Sequence, residues 1–173
     1  PAGDSSLAYY KSRISQKSYF PITQEIVFAA RGELAYAGAY QDSYLPPYEL
    51  YRAGGVGSVR GFGAYSLGAT PDTFDADGAS IGGDMRVLVN AELLFPPPFS
   101  SEQESSMRFS LFLDGGNVFN KVNGFDASLL RYSVGGALAW VTPIGPLKFS
   151  FGVPVNQEDG DETESFQFTI GVQ

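Results

Sequence analysis

The chain has 173 residues and a net charge of −8 at pH 7, and it contains neither cysteine nor histidine. These missing residue types exclude disulfides, thiolate chemistry and the general base that enzymes most often use at neutral pH. The acidic balance, with no block of lysine or arginine, argues against nucleic acid as a partner. We therefore expect no enzyme activity, no catalytic residue, no metal site and no cofactor.

Seven segments alternate between apolar and polar residues with the two-residue period of a β-strand, and none shows the period of a helix. In chain order they are residues 5–20, 26–36, 81–95, 107–115, 131–140, 147–155 and 166–173. The first is the weakest, although its basic residues share one side. The clearest is 107–115, where Ser110 and Asp114 lie opposite an apolar face. The pattern predicts an all-β, antiparallel fold.

The predicted strands are long, which bears on whether the sheet is soluble or membrane-embedded. Strands of soluble sandwiches typically have about 5–6 residues, whereas a tilted membrane strand needs roughly 9–11. Aromatic residues also stand near the ends of the apolar faces, as in the interfacial girdles of membrane barrels. They are Tyr36, Tyr40, Phe95, Tyr132 and Trp140. A transmembrane β-barrel is the favoured interpretation, and a soluble β-sandwich binding module is the alternative.

The connections between the predicted strands also alternate in length. They are residues 21–24, 41–80, 96–105, 120–129, 142–145 and 157–163. Membrane barrels have tight periplasmic turns and longer extracellular loops. This assignment places the C-terminal end of the chain in the periplasm and makes 41–80 a very long extracellular loop, whose length favours a functional role.

The long loop contains a glycine-rich segment, Gly54-Gly55-Val56-Gly57-Ser58-Val59-Arg60-Gly61-Phe62. Glycines on both sides of Arg60 permit a sharp backbone turn, from which the guanidinium can bind carboxylates in bidentate geometry. The simpler alternative is a glycine-rich turn with an exposed arginine. A phosphate-binding loop is disfavoured because no Lys-Ser or Lys-Thr pair follows the glycines.

Several blocks of this sequence are similar, in the same order, to the BamA family of outer-membrane β-barrel assembly proteins. The loop segment Val59-Arg60-Gly61-Phe62 looks like that family's VRGF motif. The other matching blocks are Tyr51-Arg52-Ala53-Gly54-Gly55, Phe112-Leu113-Asp114-Gly115-Gly116-Asn117-Val118, Gly145-Pro146-Leu147-Lys148-Phe149-Ser150, Pro154, Asp159-Gly160-Asp161 and Phe166-Gln167-Phe168-Thr169-Ile170-Gly171. The resemblance covers essentially the whole chain, and ordered blocks are more specific than one short motif.

The resemblance implies a fold and a site. The fold is the C-terminal part of an antiparallel transmembrane β-barrel, with about seven meandering strands in one domain, 1–173. The long loop folds back into the barrel lumen, where Arg60 pairs with Asp114 and Glu92. Both carboxylates fall on the polar face of their predicted strands, which is here the lumen side. Removing one member of such a buried pair would leave an uncompensated charge.

The resemblance also implies a function and partners. Such a protein inserts other β-barrels into the outer membrane of Gram-negative bacteria, so we expect contact with the lipid bilayer, unfolded outer-membrane proteins and accessory assembly lipoproteins. The edge of the last strand would pair with an incoming strand. The residues expected at that edge are Phe166, Phe168, Ile170 and Gly171. Alternatives are a two-partner secretion transporter of the same superfamily and a passive pore or anchor.

The chain departs from the family pattern in its extent. BamA proteins have a sixteen-stranded barrel preceded by POTRA modules and usually end on an aromatic residue, whereas this chain has about seven predicted strands and ends at Gln173. We therefore expect a fragment. Bacterial single-chain barrels have an even number of strands from eight upward, and open edges are not tolerated in lipid, so we also expect this fragment to self-associate.

Overall fold

The structure is a computed structural model, which describes residues 8–40, 43–97, 106–121, 124–143, 145–158 and 160–171. Its regular structure is almost entirely β-strand, with short 3-10 turns at Pro47–Glu49, Pro71–Thr73 and Ala127–Leu129. Within the described part of the chain, no helix is long and apolar enough to cross a membrane.

Seven strands form one antiparallel sheet in the order β1-β2-β4-β5-β6-β7-β9, and two short strands, β3 and β8, pair separately. The strands are β1 Tyr9–Pro21, β2 Val27–Ala39, β3 Gly61–Phe62, β4 Met85–Phe95, β5 Met107–Phe119, β6 Arg131–Thr142, β7 Gly145–Asn156, β8 Thr163–Glu164 and β9 Phe166–Ile170. Among the described residues β1 and β9 are edge strands, so the sheet does not close on itself. The predicted all-β, antiparallel fold is confirmed.

The register places each side chain on one of two faces, because successive side chains of a strand point to opposite sides. We use the term inner face for the side of the sheet that carries Arg31, Asn90, Asp114 and Ser133. These residues lie side by side on β2, β4, β5 and β6. The long loop between β2 and β4 packs on this inner face. The opposite face is the outer face.

The outer face is apolar and exposed. Its large exposed hydrophobic residues include Ile14, Leu34, Val89, Leu111, Leu113, Val134, Phe151, Val153, Phe166, Phe168 and Ile170. A soluble sandwich would cover such a face with a second sheet, and none does so among the described residues. An outward apolar band is what a membrane-spanning barrel presents to lipid. This face therefore favours the membrane barrel over the soluble sandwich.

Several strand boundaries differ from the predicted ones. Residues 81–84 are not in a strand, because Gly82 has φ +92° and Gly83 pairs with Tyr51 of the loop. Strand β5 continues past the predicted end at Gly115 as far as Phe119. Residues 5–7, 172 and 173, which were assigned to the first and last predicted strands, lie outside the described residues, as does Asp159.

A small hydrophobic core joins the long loop to the inner face. Its buried members are Ala53, Val59, Phe62 and Leu67 from the loop and Leu88 and Val118 from the sheet. The loop also closes on itself through two hydrogen bonds between Tyr51 and Gly83, at 2.8 and 2.9 Å. The loop is therefore packed against the sheet, and its polar side chains are held close to the inner face.

Candidate functional site: a loop arginine clamped on the inner face

Glycines shape the loop segment that presents Arg60. Gly54, Gly55, Gly57 and Gly61 all have positive φ, between +84° and +106°, a conformation that other residues rarely adopt. The resulting turn places Val59 and Phe62 in the core, with both side chains fully buried. The intervening Arg60 side chain then points across the inner face.

Arg60 and Asp114 form a bidentate ion pair. Arg60 Nε–H donates to Asp114 Oδ2 at 2.7 Å, and Nη2–H donates to Oδ1 at 2.8 Å. The backbone N–H of Arg60 donates to the same carboxylate, at 3.1 Å. Arg60 is 5% exposed and Asp114 is fully buried. A charge-assisted pair with this geometry is both strong and directional.

Neighbouring residues complete the environment of the ion pair. Arg60 Nη1–H donates to Glu92 Oε1 at 3.2 Å, and the Ser110 hydroxyl donates to the same oxygen at 2.6 Å. Asn90 Nδ2–H donates to Asp114 Oδ1 at 3.0 Å and to the loop carbonyl of Ser58 at 2.8 Å. The two carboxylates are thus hydrogen-bonded by several donors besides the arginine, as buried charges require.

The Arg60 guanidinium also lies over an aromatic ring, with its Cζ 3.5 Å from the centroid of Phe112. This cation–π contact is favourable where water is excluded. Burial lowers the pKa of Arg60, but the hydrogen bonds and negative charge of Asp114, with those of Glu92, raise it by more. The arginine therefore remains charged in the site.

The loop is also joined to the chain segment around the last strand. Gly61 and Phe62 of β3 pair with β8, which directly precedes β9. Gly63 N–H donates to the Glu162 carbonyl at 2.8 Å, and the buried side chain of Gln167, on β9, donates to the Phe62 carbonyl at 2.8 Å. The predicted motif therefore contacts the inner wall at β5 and the strand at the open edge.

The backbone groups of the four predicted edge residues do not all point the same way: those of Gly171 point to β7, and those of the other three point away from it. Gly152 N–H donates to the Ser165 carbonyl and Gly171 N–H donates to the Pro146 carbonyl, both at 2.8 Å. Residues of an antiparallel strand alternate in the neighbour to which they bond, so Gly171 faces β7. By the same alternation the backbone groups of three residues point to the free edge: Phe166, Phe168 and Ile170.

Sequence reasoning missed three polar residues that hold the loop. They are Glu33, Asn90 and Gln167. Asn90 and Gln167 donate hydrogen bonds to loop carbonyls, and Glu33 accepts from Arg31, which itself bonds the loop. The alternation had placed all three on the polar face, which was the available signal. Their partners, however, are set by the path of the loop, which no periodicity encodes. Among the described residues, no group of metal-ligating side chains suited to hold an ion is found.

Close contact between Gly152 and the loop yields a testable prediction. A Cβ at Gly152 would lie 2.8 Å from Gly61 N and 3.1 Å from Arg60 C. Since these are backbone atoms, Gly152→Ala must displace the loop, and we expect a loss of about 1–3 kcal/mol in the free energy of unfolding. The matched control is Gly136→Ala, whose Cβ would meet its nearest neighbour at an ordinary 3.6 Å. Equal denaturation midpoints for the two variants would contradict the prediction.

An open antiparallel sheet with an apolar outer face and a loop clamped on the inner face defines part of an outer-membrane β-barrel. The Omp85 superfamily domain matches residues 1–173. The outer membrane protein assembly factor BamA of Neisseria meningitidis serogroup B is 34% identical over 194 residues, covering 96% of this chain and 24% of the relative. The chain therefore belongs to the Omp85 superfamily, and it is located in the outer membrane.

Two further comparisons concern a curated relative and a solved structure. The sorting assembly machinery 50 kDa subunit of Saccharomyces cerevisiae is 25% identical over 132 residues, which cover 72% of this chain and 26% of that protein. The crystal structure of BamA from Haemophilus ducreyi lacking POTRA domains 1–3 superimposes with a TM-score of 0.84 at 35% identity, covering 93% of this chain and 34% of that one. The chain thus spans about a quarter of the length of these two curated relatives and about a third of the solved chain.

Proposed function

We propose that the protein containing this chain assembles other β-barrel proteins into the outer membrane and catalyses no covalent reaction. Two relatives support this function, one named as an outer membrane protein assembly factor and the other as a subunit of the sorting assembly machinery. The observation that carries it is the outer edge of β9, which no other strand of the described residues covers and where an incoming strand can pair. We call Arg60, Asp114 and Glu92 the clamp; its carboxylates are occupied by Arg60 and by the Asn90 and Ser110 donors, which suits a structural role.

The free edge of β9 is suited to β-augmentation, in which a peptide adds a strand to an exposed sheet edge. Unpaired backbone N–H and C=O groups at a sheet edge ordinarily promote aggregation, and soluble proteins protect such edges. Here the outward backbone groups belong to Phe166, Phe168 and Ile170, whose side chains all lie on the exposed apolar face. An incoming strand with outward apolar residues would extend the sheet and its lipid-facing band together.

The clamp gives the loop a fixed position beside that edge. Arg60 forms ion pairs with Asp114 on β5 and Glu92 on β4. The adjacent backbone of β3 pairs with β8 and accepts a hydrogen bond from Gln167 on β9. We propose that the clamp holds the last strand in register during client pairing. The partners are then the bilayer, unfolded outer-membrane proteins and, by resemblance, accessory assembly lipoproteins. The chain on its own is expected to self-associate in detergent, which a detergent-corrected particle mass would reveal.

Ile170→Pro tests the edge directly. Proline removes the N–H that points to the free edge and leaves the β7 side of β9 unchanged, a position where edge strands tolerate it. The variant would be made in the complete protein, reconstituted in liposomes. Because one hydrogen bond contributes about 0.5–1.5 kcal/mol, we expect client folding to slow by about two- to tenfold. Ile170→Ala is the side-chain control. Equal folding rates for the two variants would exclude pairing at this edge.

A further inference from the structure

Glu33 on β2 is a buried carboxylate surrounded by three arginines. Its side chain has no exposed surface, and its oxygens accept from Arg13 at 2.8 Å, from Arg31 at 2.7 Å and from Arg86. These arginines belong to β1, β2 and β4. We call this group the Glu33 node. It shares no residue with the clamp of Arg60, Asp114 and Glu92, and it has the opposite composition, with one anion and several cations.

Two arginines of the Glu33 node also bind the backbone of the long loop. Arg31 Nη1–H donates to the Gly57 carbonyl at 2.9 Å, and Arg86 Nη1–H donates to the Arg52 carbonyl at 2.8 Å. The two carbonyls lie at either end of the glycine turn that precedes Arg60. Each arginine therefore bridges Glu33 and the loop, using one terminal nitrogen for each.

The bridging depends on the chemistry of both partners. A guanidinium has donors in a rigid planar fork, so one nitrogen can hold the carboxylate while the other holds a carbonyl. The carboxylate fixes the orientation of that fork. Without it, three like charges would stand close together in a partly buried site, where their repulsion is only weakly screened. They would turn away from one another and from the loop carbonyls.

We propose that Glu33 is a positioning residue that acts as a second anchor of the loop. Through Arg31 and Arg86 it holds residues 52–57, so that the turn presents Arg60 to Asp114. The loop is thus held by its side chain at the clamp and by its backbone at the Glu33 node. This inference goes beyond the proposed assembly function, and it is valid for any activity in which the loop position matters.

Amide hydrogen exchange on the complete protein in lipid nanodiscs tests the proposal. In Glu33→Gln, a near-isosteric change, we expect amides of residues 53–59 to exchange about tenfold faster because they open locally. Glu33→Asp keeps the charge and should restore part of the protection. Amides in the middle of β5 should keep more of their protection than those of residues 53–59, because the ion pair of Arg60 with Asp114 is left intact. The control is Glu25→Gln, an exposed glutamate in the turn before β2.

A second variant covers the case in which Glu33→Gln does not fold. Arg31→Lys keeps the positive charge beside Glu33 but has a single nitrogen, which cannot hold the carboxylate and the Gly57 carbonyl in the same fork geometry. We expect about three- to tenfold faster exchange in residues 53–59. The proposal is overturned if the folded variants of Glu33 and Arg31 protect these amides as well as Glu25→Gln does. Since the readout is exchange, failure of the assembly function would not affect it.

Discussion

Reversing either charge of the clamp, by Arg60→Glu or Asp114→Arg, is expected to release the loop from the inner face and to block assembly of outer-membrane proteins. Arg60→Glu would place a third carboxylate beside Asp114 and Glu92, both of which now pair with Arg60. Breaking a buried ion pair typically costs about 3–5 kcal/mol, because the remaining charge is left uncompensated. The double variant restores opposite charges and should recover part of the activity.

The measurement is growth and outer-membrane protein content of a strain in which the natural copy is depleted and the complete variant protein is supplied. Arg108→Glu is the control, since Arg108 lies on β5 like Asp114 but donates to the adjacent Met107 carbonyl. Single variants that support assembly as well as this control would show that the clamp is dispensable. A double variant no better than the singles would argue against direct pairing as the basis of the effect.

A second large effect is expected on the outer face. Leu111 is 57% exposed and lies in β5 between Leu93 and Gly136 on the neighbouring strands. An arginine near the middle of a lipid-facing band costs about 2–4 kcal/mol, so Leu111→Arg should unfold at a clearly lower denaturant concentration in lipid. Leu111→Ala controls for lost side-chain volume. Identical midpoints for Arg and Ala would mean that this face does not meet hydrocarbon.

The sheet was predictable because alternation is a local property of each strand. Residues 107–113 show it without interruption, and the seven predicted segments correspond to the seven strands of the sheet. Strand ends were less predictable, since glycine is compatible with both strand and turn. Gly82 has positive φ and lies in the loop before β4, whereas Gly115 and Gly116 continue β5. The two-residue strands β3 and β8 are too short to show any period.

The site was predictable in part. Alternation placed Glu92 and Asp114 on the polar face, and the resemblance of the Val59–Phe62 motif named Arg60 as their partner. Glu33 had the same local signal, but three arginines on three strands contact it. That cluster depends on the register and on the loop path, and both are properties of the folded sheet. Inward position can therefore be read from the sequence, whereas pairing on the inner face requires the structure.

The pairing of β3 with β8 couples the position of the long loop to the position of the last strand. The Gln167 side chain bonds the loop from β9 itself, and β8 is separated from β9 by Ser165 alone. Under the proposed function, a client strand that displaces β9 would either break these hydrogen bonds or move Phe62 with it. Coupling of this kind is reciprocal. Under the same proposal, the free energy needed to undock the loop would oppose displacement of β9 by an incoming strand.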